Sequence, residues 1–140
     1  MMKRRTVIFI ALAGILVIAA AVYLFIYFTP RPVVQNPETA KLQNIRHHGA
    51  TELIALDANQ EKAILDLLSQ YQCRRTFKSY FPFNGEDADY ELWLRSETEY
   101  PWIILIGEFN ICYIPSDQRA KVYEILDAQN LSAQLKEIVD

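Results

Sequence analysis

The sequence predicts an α+β domain, with helices on one face of a mostly antiparallel sheet, preceded by one N-terminal transmembrane helix. Three observations support this prediction. Residues 6–28 form an unbroken apolar run without a charged side chain. Residues 88–96 alternate between apolar and polar side chains, as a half-buried strand does, and residues 58–71 repeat apolar side chains at helical spacing. Because strands and helices do not alternate regularly along the chain, the class is α+β.

The apolar run is long enough to cross a bilayer. At ~1.5 Å per residue, residues 6–28 make a helix of about 34 Å, against a hydrocarbon core of about 30 Å. Three basic residues at positions 3–5 precede the run, and only Arg31 follows it before the first acidic residue, Glu38. The positive-inside rule therefore places residues 1–5 in the cytoplasm and the residues after the apolar run outside the cell. The predicted location is the cell membrane, with a single span.

A cleaved signal peptide is the alternative interpretation of the same run. The small residues Ala19, Ala20 and Ala21 are similar to a cleavage site. The apolar run nevertheless continues for seven residues beyond Ala21, which is longer than the apolar region of a signal peptide. No two small residues lie at i and i+4 within residues 6–28, so we expect a monomeric anchor helix.

The segment after the anchor, residues 29–40, is predicted to be a spacer. Its prolines, Pro30, Pro32 and Pro37, disfavour helix and favour extended conformations. The remaining residues, 41–140, are enough for one extracytoplasmic domain with one core.

The first half of this domain is predicted to contain a hairpin, a helix and a further strand. The elements are, in order, strands at residues 42–48 and 51–56, a helix at residues 58–71 and a strand at residues 73–79. A turn at His48-Gly49 would join the first two strands. Asp57 and Gln60 have the spacing of a capping box, which marks the start of the helix.

The second half is predicted to be sheet and then helix. The elements are three adjacent antiparallel strands at residues 88–96, 102–106 and 109–114, then one or two helices from Ser116 onward. Gly107-Glu108 suits a two-residue hairpin turn, and Pro115 ends the sheet. The apolar residues assigned to the helices are Val122, Ile125, Leu126, Leu131, Leu135 and Ile138.

The order of these elements carries a resemblance. The chain resembles small uncharacterised ectodomains of Gram-positive bacteria in having a basic start, one anchor, a hairpin and an Ile- and Leu-rich helix (AILDLLSQYQCRRTF). These are followed by a sheet that ends in a Tyr-containing strand and a helix (NICYIPSDQRAKVYEIL). Such ectodomains occur as single-pass proteins or lipoproteins without a settled activity. The resemblance covers roughly residues 42–128 and implies no catalytic residues.

Composition and motifs argue against nucleic-acid binding and catalysis. Without the three basic residues at positions 3–5, the 14 basic residues fall to 11 against 17 acidic ones, so the exported part carries a net charge of −6. Neutralising phosphates requires a basic face, so no nucleic-acid partner is expected. The sequence contains no G-x-S-x-G, no H-E-x-x-H and no phosphate-binding glycine loop. We therefore expect a non-catalytic protein without a cofactor.

Metal binding is not expected either. His47-His48 are adjacent in a predicted strand, so their side chains point to opposite faces and do not share a metal readily. Four acidic residues, Glu86, Asp87, Asp89 and Glu91, offer oxygen ligands but lack the spacing of a calcium loop.

Two further patterns have competing interpretations. Cys73 and Cys112 either form a disulfide, which would close a loop of about 40 residues and contribute about 4 kcal/mol, or are two buried thiols. Asn130-Leu131-Ser132 is a glycosylation acceptor by pattern, but we interpret its Asn and Ser as helix-capping residues.

The candidate binding site is an aromatic and acidic segment. Tyr80, Phe81 and Phe83 surround Pro82, and the acidic side chains follow directly, at Glu86, Asp87 and Asp89. Either the rings close one end of the core, or they stay exposed and form a partner-binding patch with an acidic rim.

The function predicted from all this is a membrane-anchored binding or accessory domain for an unknown extracytoplasmic protein or cell-wall partner. The alternatives are an immunity or inhibitor protein acting against a toxin or hydrolase in the wall space, and a small hydrolase.

Overall fold

The computed structural model describes residues 3–76, 88–97, 102–107, 111–114 and 121–140, and these form an α+β fold with antiparallel strands. The helices are α1 (Arg4–Phe28), α2 (Ala58–Gln70) and α3 (Ala128–Val139). The strands are β1 (Arg31–Pro32), β2 (Ala40–His47), β3 (Gln72–Arg75), β4 (Ala88–Ser96), β5 (Trp102–Gly107), β6 (Ile111–Ile114) and β7 (Lys121–Ile125). The strand order in the sheet is β1-β3-β7-β6-β5-β4-β2.

The core lies between one face of this sheet and the helices α2 and α3. Leu92 of β4 is fully buried and lies between its cross-strand partners Ile45 of β2 and Ile104 of β5. Leu68 of α2 and Leu131 of α3 are buried in the same cluster. Burying each such side chain contributes roughly 1.5–3 kcal/mol, so this face holds the domain together. The opposite face of β4 carries Glu91 and Trp93, as strand alternation requires.

The capping box at the start of α2 is confirmed. Asp57 Oδ1 accepts a hydrogen bond from the backbone N–H of Gln60 at 2.8 Å, and Gln60 Oε1 accepts one from the backbone N–H of Asp57 at 3.0 Å. These two bonds satisfy backbone donors that the helix itself leaves unpaired, so they fix its first residue.

The predicted N-terminal hairpin is wrong. The turn exists, with Gly49 at φ +81°, but residues 51–56 form no strand. One hydrogen bond, from the N–H of Ile54 to the carbonyl of Ile45, connects this segment to β2. β2 pairs instead with β4, whose nine residues offer partners along the whole of β2. A local pattern cannot reveal this distant partner.

The proline-rich segment differs from the predicted spacer. Arg31–Pro32 pairs with β3, and the next two residues, Val33 and Val34, are buried in the core. Proline is tolerated in a strand at the edge of a sheet, which is where β1 lies. The two valines favour burial over exposure, and the N–H of Val33 donates to the carbonyl of Tyr71 at 2.9 Å.

The helix predicted to follow Ser116 is wrong where the structure describes it. Residues 121–125 form β7, which lies between β3 and β6. Tyr123 and Ile125 are two residues apart and are both buried, which is the period of a strand. Valine, tyrosine and isoleucine also favour strands over helices. Residues 115–120 lie outside the described part of the chain, whereas α3 occupies the predicted C-terminal helical region.

Candidate functional site

The aromatic and acidic segment predicted as a binding site lies mostly outside the described residues. This applies to Tyr80, Phe81, Phe83, Glu86 and Asp87, and the hypothesis for them stays a prediction. The remaining member, Asp89, lies within the described residues, and its side chain contacts α3.

Asp89 joins β4 to α3. It is the extra residue of a β-bulge, between Ala88, which pairs with Gly107, and Tyr90, which pairs with Ile106. Its Oδ2 accepts a hydrogen bond of 2.7 Å from the hydroxyl of Ser132 in α3. A bulge redirects a side chain, so this carboxylate holds the helix against the sheet.

The Asn-Leu-Ser sequence does not cap α3. Asn130 and Ser132 lie within the helix, and the residue before its first turn is Asp127, at φ 56°. Asn130 donates a side-chain hydrogen bond to Asp127 at 3.4 Å, while Ser132 is buried against Asp89. The capping interpretation is therefore wrong for Ser132.

Cys73 is a buried free thiol. It pairs with Ile125 of β7, whereas Cys112 pairs with Tyr123 on the opposite side of the same strand. Two strand spacings put the Cα atoms roughly 10 Å apart, beyond the limit of about 7 Å for a disulfide. Burial raises the pKa of the Cys73 thiol above its usual value, and the neighbouring Arg31 partly opposes this shift.

The two histidines contact opposite faces of the sheet. The ring of His47 lies 5.1 Å from the ring of Tyr90, while His48 Nδ1 lies 3.6 Å from Glu91 Oε2 on the other face. Within the described part of the chain, no group of three His, Cys, Asp or Glu side chains has the arrangement of a metal site.

His48 belongs to a polar cluster on the face of the sheet opposite the helices. We call it the Glu91 cluster, and its members are Arg46, His48, Glu91 and Trp93. Arg46 Nη2 donates to both oxygens of Glu91, at 2.9 and 3.0 Å. Trp93 Nε1 donates to Glu91 Oε1 at 2.7 Å.

Strand geometry assembles the Glu91 cluster. Glu91 and Trp93 are two residues apart on β4, so they share a face. Arg46 is the cross-strand partner of Glu91 in β2. His48, two residues after Arg46, lies beside the same carboxylate, and its N–H donates to the carbonyl of Asp89 at 3.1 Å.

The cluster buries a carboxylate and presents an aromatic ring. Glu91 is only 6% exposed, and a buried charge of this kind requires partners such as the Arg46 guanidinium. Trp93 remains 37% exposed, although its indole N–H is fixed by Glu91. A fixed, partly exposed tryptophan beside an arginine has the composition of a binding hot spot. Arg46 Nε and His48 Nδ1 are both buried without a hydrogen-bond partner in the described residues.

A groove continues this face of the sheet beyond Trp93. It encloses about 380 Å³ and is lined by Thr39, Lys41, Gln43, Arg95, Ser96 and Glu97. Lys41 and Arg95 are cross-strand partners, so two cations lie side by side at this end of β2 and β4. Against these two cations the lining has one carboxylate, Glu97, so the lining residues carry one net positive charge in a domain that is acidic as a whole.

Sequence reasoning missed this site because it depends on strand pairing. Glu91, Trp93 and Arg95 could have been recognised as the outward positions of β4, since the alternation was visible. Nothing local links them to Arg46 and His48, some 45 residues earlier in the chain.

No family model matches the chain, no curated protein matches it, and no solved structure matches it. The resemblance to Gram-positive ectodomains therefore stays a prediction from the sequence pattern.

Proposed function

We propose that this is a single-pass membrane protein whose N-terminus faces the cytoplasm and whose domain binds a partner outside the cell. The observation that supports the anchor is the surface of α1. This helix is long and apolar enough to span a membrane, and none of its residues is buried. Large apolar side chains are exposed from Val7 to Phe28, a patch that water does not accommodate but lipid does.

A contact at the end of α1 favours a retained anchor over a cleaved signal peptide. Tyr27 donates its hydroxyl hydrogen to the carbonyl of Thr76 at 2.6 Å, and Arg75 lies 4.6 Å from the centre of the Tyr27 ring. The last turn of the apolar run is thus also part of the domain. Cleavage after Ala21 would leave this turn exposed at a new terminus, with Leu24, Phe25 and Ile26 in water.

The proposed partner surface is the Glu91 cluster together with the adjoining groove, and the single observation that supports it is Trp93. The ring is held in place before any partner arrives, so little conformational entropy is lost on binding. Arg46, Lys41 and Arg95 lie on the same face. We propose an extracytoplasmic protein with an acidic segment as the partner, and a binding role without catalysis.

Photo-crosslinking in intact cells tests this proposal. A benzophenone amino acid in place of Asn44, the exposed cross-strand partner of Trp93, should capture a partner protein, whereas the same residue in place of Leu53 should not. Leu53 is a matched control because it is apolar and 57% exposed, but lies outside the sheet. The charge reversals Lys41→Glu and Arg95→Glu, and the substitution Trp93→Ala, should each weaken the crosslink formed from position 44. Equal crosslinking from both positions, or from neither, contradicts the proposed surface.

A further inference from the structure

We propose that the domain lies directly against the membrane and that Arg31 and Arg75 bind the phosphate groups of anionic phospholipids. This inference rests on the proposed membrane anchor. It concerns the β1–β3 end of the sheet, which is separate from the partner surface at β2 and β4.

The junction between the anchor and the domain is short and is held by a hydrogen bond. α1 ends at Phe28 and β1 begins at Arg31, so two residues separate the helix from the sheet. The hydrogen bond from Tyr27 to Thr76 joins the last turn of α1 to the residue after β3. The domain is therefore held close to the end of the apolar helix.

The end of α1 has the residues expected at the bilayer interface. The ring centres of Tyr23 and Tyr27 lie 5.6 Å apart, and those of Tyr27 and Phe28 lie 5.2 Å apart. Tyrosine rings, which are amphipathic, sit at the level of the lipid headgroups. Because Arg75 lies against the Tyr27 ring, its guanidinium is at headgroup level as well.

Two arginines and two tyrosines share this end of the sheet. Arg75 is the cross-strand partner of Tyr123, and Arg31 lies 4.3 Å from the centre of the Tyr123 ring. Within the described part of the chain, neither arginine forms an ion pair with a carboxylate. Arg74, in contrast, points to the other face and pairs with Glu124.

A phosphate group suits these two guanidiniums, of which Arg31 also lies beside the buried Cys73 thiol. Arginine binds phosphate through paired N–H groups, and stacking on tyrosine holds the guanidinium in position. Cations close to an anionic bilayer are attracted within about one Debye length, roughly 8–10 Å. Acidic residues more than a Debye length from the bilayer are screened, so the net charge of −6 on the exported part does not by itself prevent this attraction.

Hydrogen exchange of the full chain in lipid nanodiscs tests the inference. Nanodiscs of phosphatidylcholine alone are compared with nanodiscs that also contain phosphatidylglycerol. We expect the amides within residues 29–34 and 72–76 to exchange between about fivefold and about 25-fold more slowly in the anionic discs, since each of the two arginines favours binding to an anionic surface about fivefold. Added salt should remove the difference, because it screens the phosphates.

Variants identify the residues involved. Arg31→Gln with Arg75→Gln should abolish the lipid dependence, whereas Lys41→Gln with Arg95→Gln removes the same charge elsewhere and should preserve it. Slow exchange in β4 and β5 shows that each variant is folded.

The comparison of the two kinds of disc with the parent chain can by itself contradict the inference. The test therefore holds even if the double variant does not fold. Equal exchange of the parent chain in both kinds of disc contradicts lipid binding even if the chain is firmly inserted, and so does a folded double variant that keeps the dependence. Failure of the chain to co-purify with nanodiscs contradicts the anchor itself, and lipid binding with it.

Discussion

Replacing Glu91 by Gln should destabilise the domain by about 2 kcal/mol. The change keeps the shape of the side chain but removes the negative charge of an acceptor that receives two hydrogen bonds from Arg46 and one from Trp93. In the parent chain, Glu91 Oε2 accepts a hydrogen bond from Arg46 Nη2 at 3.0 Å. If the amide oxygen of the glutamine keeps the bond to Trp93, the amide nitrogen takes the position of Oε2. Two hydrogen-bond donors, this nitrogen and Arg46 Nη2, then face each other.

The size of this loss follows from the exposure of the partners. Removing one member of a fully buried ion pair costs about 3–5 kcal/mol, and a hydrogen bond to a charged group contributes about 1.5–3 kcal/mol. The Arg46 side chain is 35% exposed, so it can regain water when its partner is neutralised. We therefore expect a loss near the lower end of these ranges.

The matched control is Glu124→Gln. Glu124 also accepts from an arginine, Arg74, but the two side chains are 50% and 48% exposed. Exposed pairs contribute less than about 1 kcal/mol. The assay is urea unfolding of the full chain in detergent micelles, followed by circular dichroism. An unchanged slope of the unfolding free energy against urea concentration shows that both variants unfold in the same way as the parent chain. A Glu91→Gln loss no larger than that of Glu124→Gln would refute the argument that the Glu91 cluster is a buried charge network.

Three further predictions concern the core, the thiol and metals. Leu68→Ala should lower the free energy of unfolding by about 2–5 kcal/mol because Leu68 is fully buried, while Leu53→Ala should change it little; similar losses would contradict the assigned core. Native Cys73 should resist alkylation by N-ethylmaleimide and react once the domain is unfolded, because it is buried and its raised pKa keeps the thiol protonated. Peptide mass spectrometry separates it from Cys112, and rapid native labelling of Cys73 would show that the site is open. Addition of EDTA should leave the melting temperature unchanged, since the described residues contain no metal-site arrangement, and a lower melting temperature would indicate a bound ion.

Elements with a strong local signal were predictable from the sequence. The capping box before α2, the alternation in β4 and the apolar run of α1 each depend on residues close together in the chain. The errors occurred where distant pairing decides the structure. Residues 51–56 were predicted to pair with β2, but β4 takes that place, and residues 121–125 became a strand between β3 and β6.

The candidate site was less predictable than the fold for the same reason. The acidic residues around Asp89 were recognised as a group, yet a bulge turns Asp89 toward Ser132, and alternation turns Glu91 toward Arg46. A bulge is invisible in a hydrophobicity pattern, since one inserted residue looks like any other polar position in the strand.

Protease accessibility tests the central claim most directly, namely that α1 anchors a domain outside the cell. A protease added to intact spheroplasts should digest residues 41–140, while peptides from α1 stay in the membrane fraction. Mass spectrometry of both fractions measures this. A domain that is digested only after the spheroplasts are lysed, or a chain that is recovered soluble in the medium, would contradict the anchor and the proposed topology.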